Sequence, residues 1–190
     1  MLPLRALVWL SLCLWAPLGQ DPVRDAALLQ RAAELARPGE PHARLARLVA
    51  EWDVALVPVL PDGSERTDRG TATGRAQLGG RYVELAFELA TAGGELHALQ
   101  VLGFHSLHQV YTSSWRDDHS TWSVECSGAS DTSAPERLVL HGSAVDAKDP
   151  EGRPFRLELD LDVEGAVTVR QFDRRDGAFV LRQTQRWTRR

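Results

Sequence analysis

The spacing of apolar and polar residues changes period once along this chain, near Trp52. Beyond it, apolar residues recur at every second position. The clearest run is Phe155, Leu157, Leu159, Leu161 and Val163, interleaved with Arg156, Glu158, Asp160 and Asp162. Successive side chains of a strand point to opposite faces, so this run predicts a strand with one dry and one wet face. Val83, Leu85, Phe87 and Leu89 repeat it against Glu84 and Glu88. Turn formers interrupt the alternation at Asp62-Gly63, Gly79-Gly80, Gly93-Gly94, Asp117-Asp118, Glu164-Gly165 and Asp176-Gly177. Between them about ten strands are predicted, near 52–60, 67–78, 81–91, 95–104, 108–116, 120–128, 136–146, 154–163, 166–174 and 178–189. Links this short join antiparallel neighbours and leave no length for parallel crossovers. Closing the sheet on itself removes both unpaired edges. The predicted fold is therefore mainly β, an antiparallel up-and-down barrel preceded by one or two short helices.

Ahead of Trp52 the spacing is helical. Asp21-Pro22 supplies an N-cap and a first-turn proline, and Val23, Ala26, Ala27, Leu29 and Ala33 then recur to about Arg37. Pro38-Gly39 stops that helix, and Pro41 opens a shorter one whose apolar edge is Leu45, Leu48 and Val49. This Ala-rich stretch suits packing on a sheet better than binding a membrane. Further back, Arg5 precedes an uncharged apolar run, Ala6 to Leu18, with the length of an export signal and too short to span a bilayer. The expected organisation is a cleaved signal over 1–19, a helical segment over 20–41 and a barrel over 42–190. A lipoprotein using Cys13 and an uncleaved anchor are the other readings. Export to the periplasm or medium follows, with no stable membrane insertion once the signal is removed.

Composition narrows the partners. A chain of 190 residues, 43% apolar and 25% charged, has core enough for one domain without metal or disulfide staples. A net charge of −4 disfavours a nucleic-acid partner. Lys148 is the only lysine, which leaves little scope for Schiff-base chemistry. Signal cleavage removes Cys13 and leaves Cys126 without an intrachain partner. The alternation Trp122, Val124, Cys126 predicts that this thiol is a small buried hydrophobe.

Several short segments together resemble a lipocalin-like bacterial family catalogued as domain of unknown function 1579. Ala50-Glu51-Trp52 is similar to its Gly-Glu-Trp start, and Leu78-Gly79-Gly80-Arg81-Tyr82 to its Leu-Gly-Gly-Arg-aromatic hairpin. Gly103-Phe104-His105 stands where the family has Gly-Tyr-Asp, and Tyr111 to Asp117 resembles an aromatic-Val-x-x-Trp-x-Asp segment. Trp187-Thr188-Arg189 resembles its aromatic-x-Arg ending. Ala50 and His105 depart from the pattern. The resemblance implies a calycin-like barrel and no established activity. It also implies structural roles for Trp52, Gly79, Gly80, Arg81 and Arg189, with Trp52 packed on Arg189 where the barrel closes.

Candidate chemistry is sparse. His97, His105, His108 and His119 cluster near Asp117 and Asp118, but they fall on turns, and His42 and His141 are the only other histidines. No zinc site is expected, because the cluster spans a turn and lacks a second cluster to complete it. Some barrels of this shape resemble nitrobindins, which implies a haem ligand from a late-strand histidine, but no histidine follows His141. No cofactor is expected. Ser113 and Ser114, near Asp117 and His119, supply residue types for a hydrolase without a Gly-x-Ser-x-Gly elbow or a phosphate-binding glycine loop.

Barrel lining is more informative. Phe179, Leu181, Gln183, Gln185, Trp187 and Arg189 share one parity, as do Tyr111, Ser113 and Trp115. If those faces point inward, Phe87, Tyr111, Trp115, Gln183 and Gln185 line a cavity with apolar walls and a few polar groups. If instead the polar half of the last strand leaves the core at the rim, the barrel is filled. The leading expectation is an exported protein holding a small, partly apolar molecule. An enzyme working at the His/Asp-rich mouth and a structural or interaction module with a filled core are the alternatives.

Overall fold

The computed structural model describes residues 22–147, 149–161 and 165–190. The expected export signal, and Asp162 and Val163 of the clearest alternating run, lie outside the described residues. The chain forms two compact units, residues 1–36 and 37–190. In the first, Pro22 opens a helix, α1 (Pro22–Leu35), along which Leu28 and Leu29 are exposed. The second unit begins at Arg37 and holds the next helix together with the strands.

That helix is α2 (Glu40–Leu45), continued by a 3-10 turn at Ala46–Leu48. Ten strands follow: β1 (Glu51–Pro58), β2 (Asp68–Gln77), β3 (Tyr82–Thr91), β4 (Gly94–His105), β5 (Val110–Asp117), β6 (Val124–Ser130), β7 (Arg137–Ala144), β8 (Arg153–Leu161), β9 (Ala166–Arg175) and β10 (Ala178–Arg189). Each pairs antiparallel with the next, and β10 returns to β1, closing an up-and-down barrel. The alternation located each of these strands. The largest displacement of an end is in β6, which starts at Val124 rather than near residue 120, with Trp122 an exposed residue ahead of the strand.

Leu45 and Leu48 stop one end of the barrel, and both are buried in its core. Their approach is set by Gly74 on β2, where an added Cβ would lie 1.9 Å from the Leu48 carbonyl oxygen. Only glycine leaves room for backbone this close. The same carbonyl accepts a hydrogen bond from Trp52 Nε1 at 3.1 Å. Arg44 reaches Ser130 at the end of β6, and Arg47 reaches the Leu161 carbonyl at the end of β8. Trp52 and Arg189 are register partners across β1 and β10, and the guanidinium lies 5.5 Å from the indole ring, within cation–π range. Arg189 also donates to the Arg47 carbonyl at 3.2 Å. In the β2–β3 hairpin, Leu78, Gly79 and Gly80 all take positive φ, and Arg81 closes the turn on the Leu78 carbonyl at 3.0 Å.

His42 caps the start of α2, its Nδ1 accepting from the Gly39 N–H at 3.0 Å while its ring meets Phe104 edge-on. Burial, and then repulsion from Arg81, lower its pKa below the ordinary histidine value. The unfolded chain therefore takes up this proton first on acidification. The stabilisation from neutral His42 is complete above the ordinary histidine pKa and is lost as pH falls through the depressed one. His97, raised by its hydrogen bond to Asp118, acts in the opposite sense, losing its contribution as pH rises. Thermal melts across about pH 5 to 7 are expected to show a shallower acid-side loss of Tm for His42→Gln than for the parent. Identical slopes would remove the cap from this account.

Candidate functional site

With one end stopped by Leu45 and Leu48, the lumen opens at the other, where a cavity of about 320 Å³ remains. Which side chains enter it follows from strand parity. On β9, Val167, Val169, Gln171 and Asp173 point inward, opposite Leu161, Leu159, Leu157 and Phe155 of β8. On β10 the parity is broken. Gln183 pairs with Gln171 but Leu181 pairs with Phe172, so Arg182 is an extra residue in a bulge. The bulge puts Phe179 and Leu181 on the outer face, where the Arg156 guanidinium lies 4.4 Å from the Phe172 ring and 4.9 Å from the Phe179 ring. A single face running from Phe179 to Arg189 is thereby corrected to one running from Gln183.

Of the five residues expected to line the lumen, Trp115, Gln183 and Gln185 do so. Phe87 and Tyr111 are buried elsewhere. Phe87 is wedged between Trp115 and Trp187, with ring centroids 5.3 and 5.4 Å away, and so backs the cavity floor. Tyr111 packs on Phe104, 5.0 Å away and toward the stopped end. Leu56, Leu89, Phe155, Leu157 and Val169 supply the apolar wall.

The polar part of the lining exceeds expectation, because Gln100, Ser113 and Gln171 belong to it. Gln100 Nε2 donates to Ser113 Oγ at 2.9 Å, Gln183 Nε2 to Gln171 Oε1 at 3.1 Å, and Trp187 Nε1 to Gln185 Oε1 at 3.0 Å. The signal for them was present, since Gln100 shares parity with Ala98 and Leu102, and Gln171 with Val167 and Val169.

The decisive comparison is over residues 37–179, which match the model of a family described as a protein of unknown function, DUF1579. The chain belongs to this family. Among curated proteins none matches the chain. The DUF1579 match runs from ahead of α2 to the start of β10, so Gln183, Gln185 and Trp187 lie beyond it.

The charged residues that line the cavity of this DUF1579 barrel are Asp117, Asp146 and Arg153. Asp117 accepts from Trp115 Nε1 at 2.9 Å and from the His119 N–H at 3.1 Å. Arg153 Nε donates to the buried carboxylate of Asp173 at 3.0 Å, and its Nη1 reaches both Asp146 and Asp149. Burial works against the Arg153 charge, but the bonds to Asp146 and Asp173 outweigh it and hold the pKa above the usual arginine range. Arg182, delivered by the bulge, adds a second contact to Asp173 at 3.3 Å.

The remaining candidates are placed apart from this lumen. His97 lies within β4 and not on a turn as expected, and its exposed Nδ1 meets Asp118 Oδ2 at 2.9 Å, while His119 Nε2 meets the Glu95 carbonyl at 2.9 Å. The rings of His105, at the end of β4, and His108, in the turn after it, lie 4.3 Å apart and tilted, and His141 lies on the outer face against Phe179. Ser114 accepts from Arg116 at 3.3 Å. Among the described residues no serine hydroxyl is hydrogen-bonded to a histidine ring, and no three His, Cys, Asp or Glu side chains are grouped to hold a metal. Asp160 sits outside the barrel, bound by Arg137 and Arg170.

Cys126 lines the lumen beside Ser113, and burial pushes its thiol pKa up to about 12, against a lowering by the Ser113 hydrogen bond. A thiol this basic has almost no thiolate at neutral pH. The native protein is expected to react with iodoacetamide at least about 100-fold more slowly than the urea-unfolded chain. Comparable rates would contradict the burial assigned to it.

Proposed function

We propose that this protein is an exported binding protein that holds a small, partly apolar molecule in the open end of its barrel. The observation that carries this reading is the cavity of about 320 Å³, walled by Leu56, Leu89, Leu157 and Val169 and set with glutamine amides. Small-molecule sites combine apolar walls with a few oriented polar groups, and this volume falls at the lower end of their range. A barrel serving only as a scaffold gains nothing from an open lumen or from amides facing into it, because buried polar groups stabilise a core only when they are paired. Export rests on the Arg5 and Ala6–Leu18 pattern. Native mass spectrometry of the protein purified from its own host is expected to show a fraction carrying a small co-purified molecule, and N-terminal sequencing to find a chain starting near Gln20. Protein with no adduct and no affinity for any apolar probe would overturn the binding reading. Met1 on cytoplasmic protein would overturn export.

A further inference from the structure

The hydrogen-bond inventory of the lumen specifies its ligand more narrowly than apolar volume does. A glutamine amide has one carbonyl and one NH₂, and an indole N–H can only donate. Trp187 therefore fixes the Gln185 carbonyl toward itself, and the Gln185 NH₂ is left facing the cavity with no partner among the described residues. On β4 the Gln100 NH₂ is used on Ser113, which leaves the Gln100 carbonyl facing the cavity in the same state. Gln185 is 7% exposed and Gln100 5% exposed, so both side chains are buried apart from the face they turn to the cavity. In the strand order β4 and β10 are separated by three strands one way and five the other, so the two groups stand on opposite walls. One step toward the mouth the arrangement repeats. Gln183 uses its NH₂ on the Gln171 carbonyl, leaving one carbonyl and one NH₂.

At both levels the wall thus offers at least one free donor and one free acceptor, with no charge. Resting on the lumen being a binding site, we infer that its ligand is a neutral molecule with an amide-type head, a carboxamide, lactam or urea, on a short apolar body. Such a head accepts from Gln185 and donates to Gln100, so neither glutamine is left unpartnered. A carboxylate accepts only and brings a charge, and among the described residues lining the cavity no unpaired cation awaits it. Arg153 is held by Asp146, Asp149 and Asp173, and Arg182 by Asp173. With Asp117 also at the mouth, an anionic ligand meets like charge on entry. An ester accepts but cannot donate, and leaves the Gln100 carbonyl unpaired.

The test is to titrate the folded protein with octanamide, octanoate and methyl octanoate, reading tryptophan fluorescence and isothermal heats. These probes share one apolar chain and differ in the head. Octanamide is expected to bind about ten-fold or more tighter than either of the others. Gln100→Met is expected to bring octanamide and methyl octanoate together, and Gln185→Met to weaken octanamide. Octanoate or the ester binding as tightly as octanamide to the parent protein would overturn this inference and leave a lumen that binds apolar chains. Binding by none of the three, with no affinity for a neutral apolar dye either, would overturn the binding reading itself. An octanamide preference unchanged in folded Gln100→Met and Gln185→Met would also overturn the inference. Should either variant fail to fold, the ranking on the parent protein decides.

Discussion

Replacing Trp52 with alanine is expected to lower the stability of the barrel by about 3–5 kcal/mol while leaving affinity for a lumen ligand unchanged. Trp52 is fully buried, and the loss has three sources. Removing the indole leaves a void among Trp187, Leu48 and Val54, because packed surroundings relax only in part. The Leu48 carbonyl loses the N–H that reaches it at 3.1 Å, and with it a tie between the 3-10 turn and β1. The Arg189 guanidinium loses the ring it covers, a contact worth about 0.5–1 kcal/mol where exposed. None of these atoms lines the open cavity. Urea unfolding with a parallel dye titration checks both halves. A midpoint close to the parent's, or a selective loss of dye binding in folded protein, would contradict a purely structural Trp52.

Trp187→Ala is expected to cost a similar 3–5 kcal/mol but, unlike Trp52→Ala, to alter the lumen as well. Trp187 lies between the two halves of the barrel interior. Its ring is 6.2 Å from Trp52 on one side and 5.4 Å from Phe87 on the other. Its Nε1 also holds the Gln185 carbonyl at 3.0 Å. Truncation removes the floor beneath Gln185, deepens the cavity and frees the amide to turn. Ligand selectivity is then expected to shift toward longer chains, with the octanamide preference reduced. A stability loss with unchanged selectivity would separate Trp187 from the site.

The barrel was legible because its strands are one-sided. Phe155, Leu157, Leu159 and Leu161 alternate with charged residues that meet one another outside, as Asp160 meets Arg137 and Arg170. Hairpins marked by glycine fixed the order, and consecutive antiparallel pairing left closure as the way to cover two edges. The plug was half-legible: Leu45 and Leu48 showed their apolar edge, but nothing local says that Gly74, far along the chain, is where the turn lands. The site was harder to read for a related reason. The residue that breaks the face of β10 is an ordinary arginine, and a bulge is set by register with β9, which is a property of two strands. Counting parity through Arg182 therefore put Phe179 and Leu181 inside. Phe87 and Tyr111 had the right parity but the wrong depth, since depth along the barrel axis depends on the stagger of all ten strands. Gln100 and Gln171 were within reach of the pattern, as polar residues on otherwise apolar faces.

Whether the lumen is a binding site decides what this barrel does. The most direct measurement is titration of the folded protein with the neutral dye N-phenyl-1-naphthylamine, in parallel with Ala144→Phe. Ala144 lines the cavity, and a phenyl ring there occupies lumen space without touching the stopped end. The account predicts saturable one-to-one binding with quenching of tryptophan emission, weakened about ten-fold or more in a folded Ala144→Phe protein. No saturable binding, or equal binding by the parent and the filled variant, would contradict it.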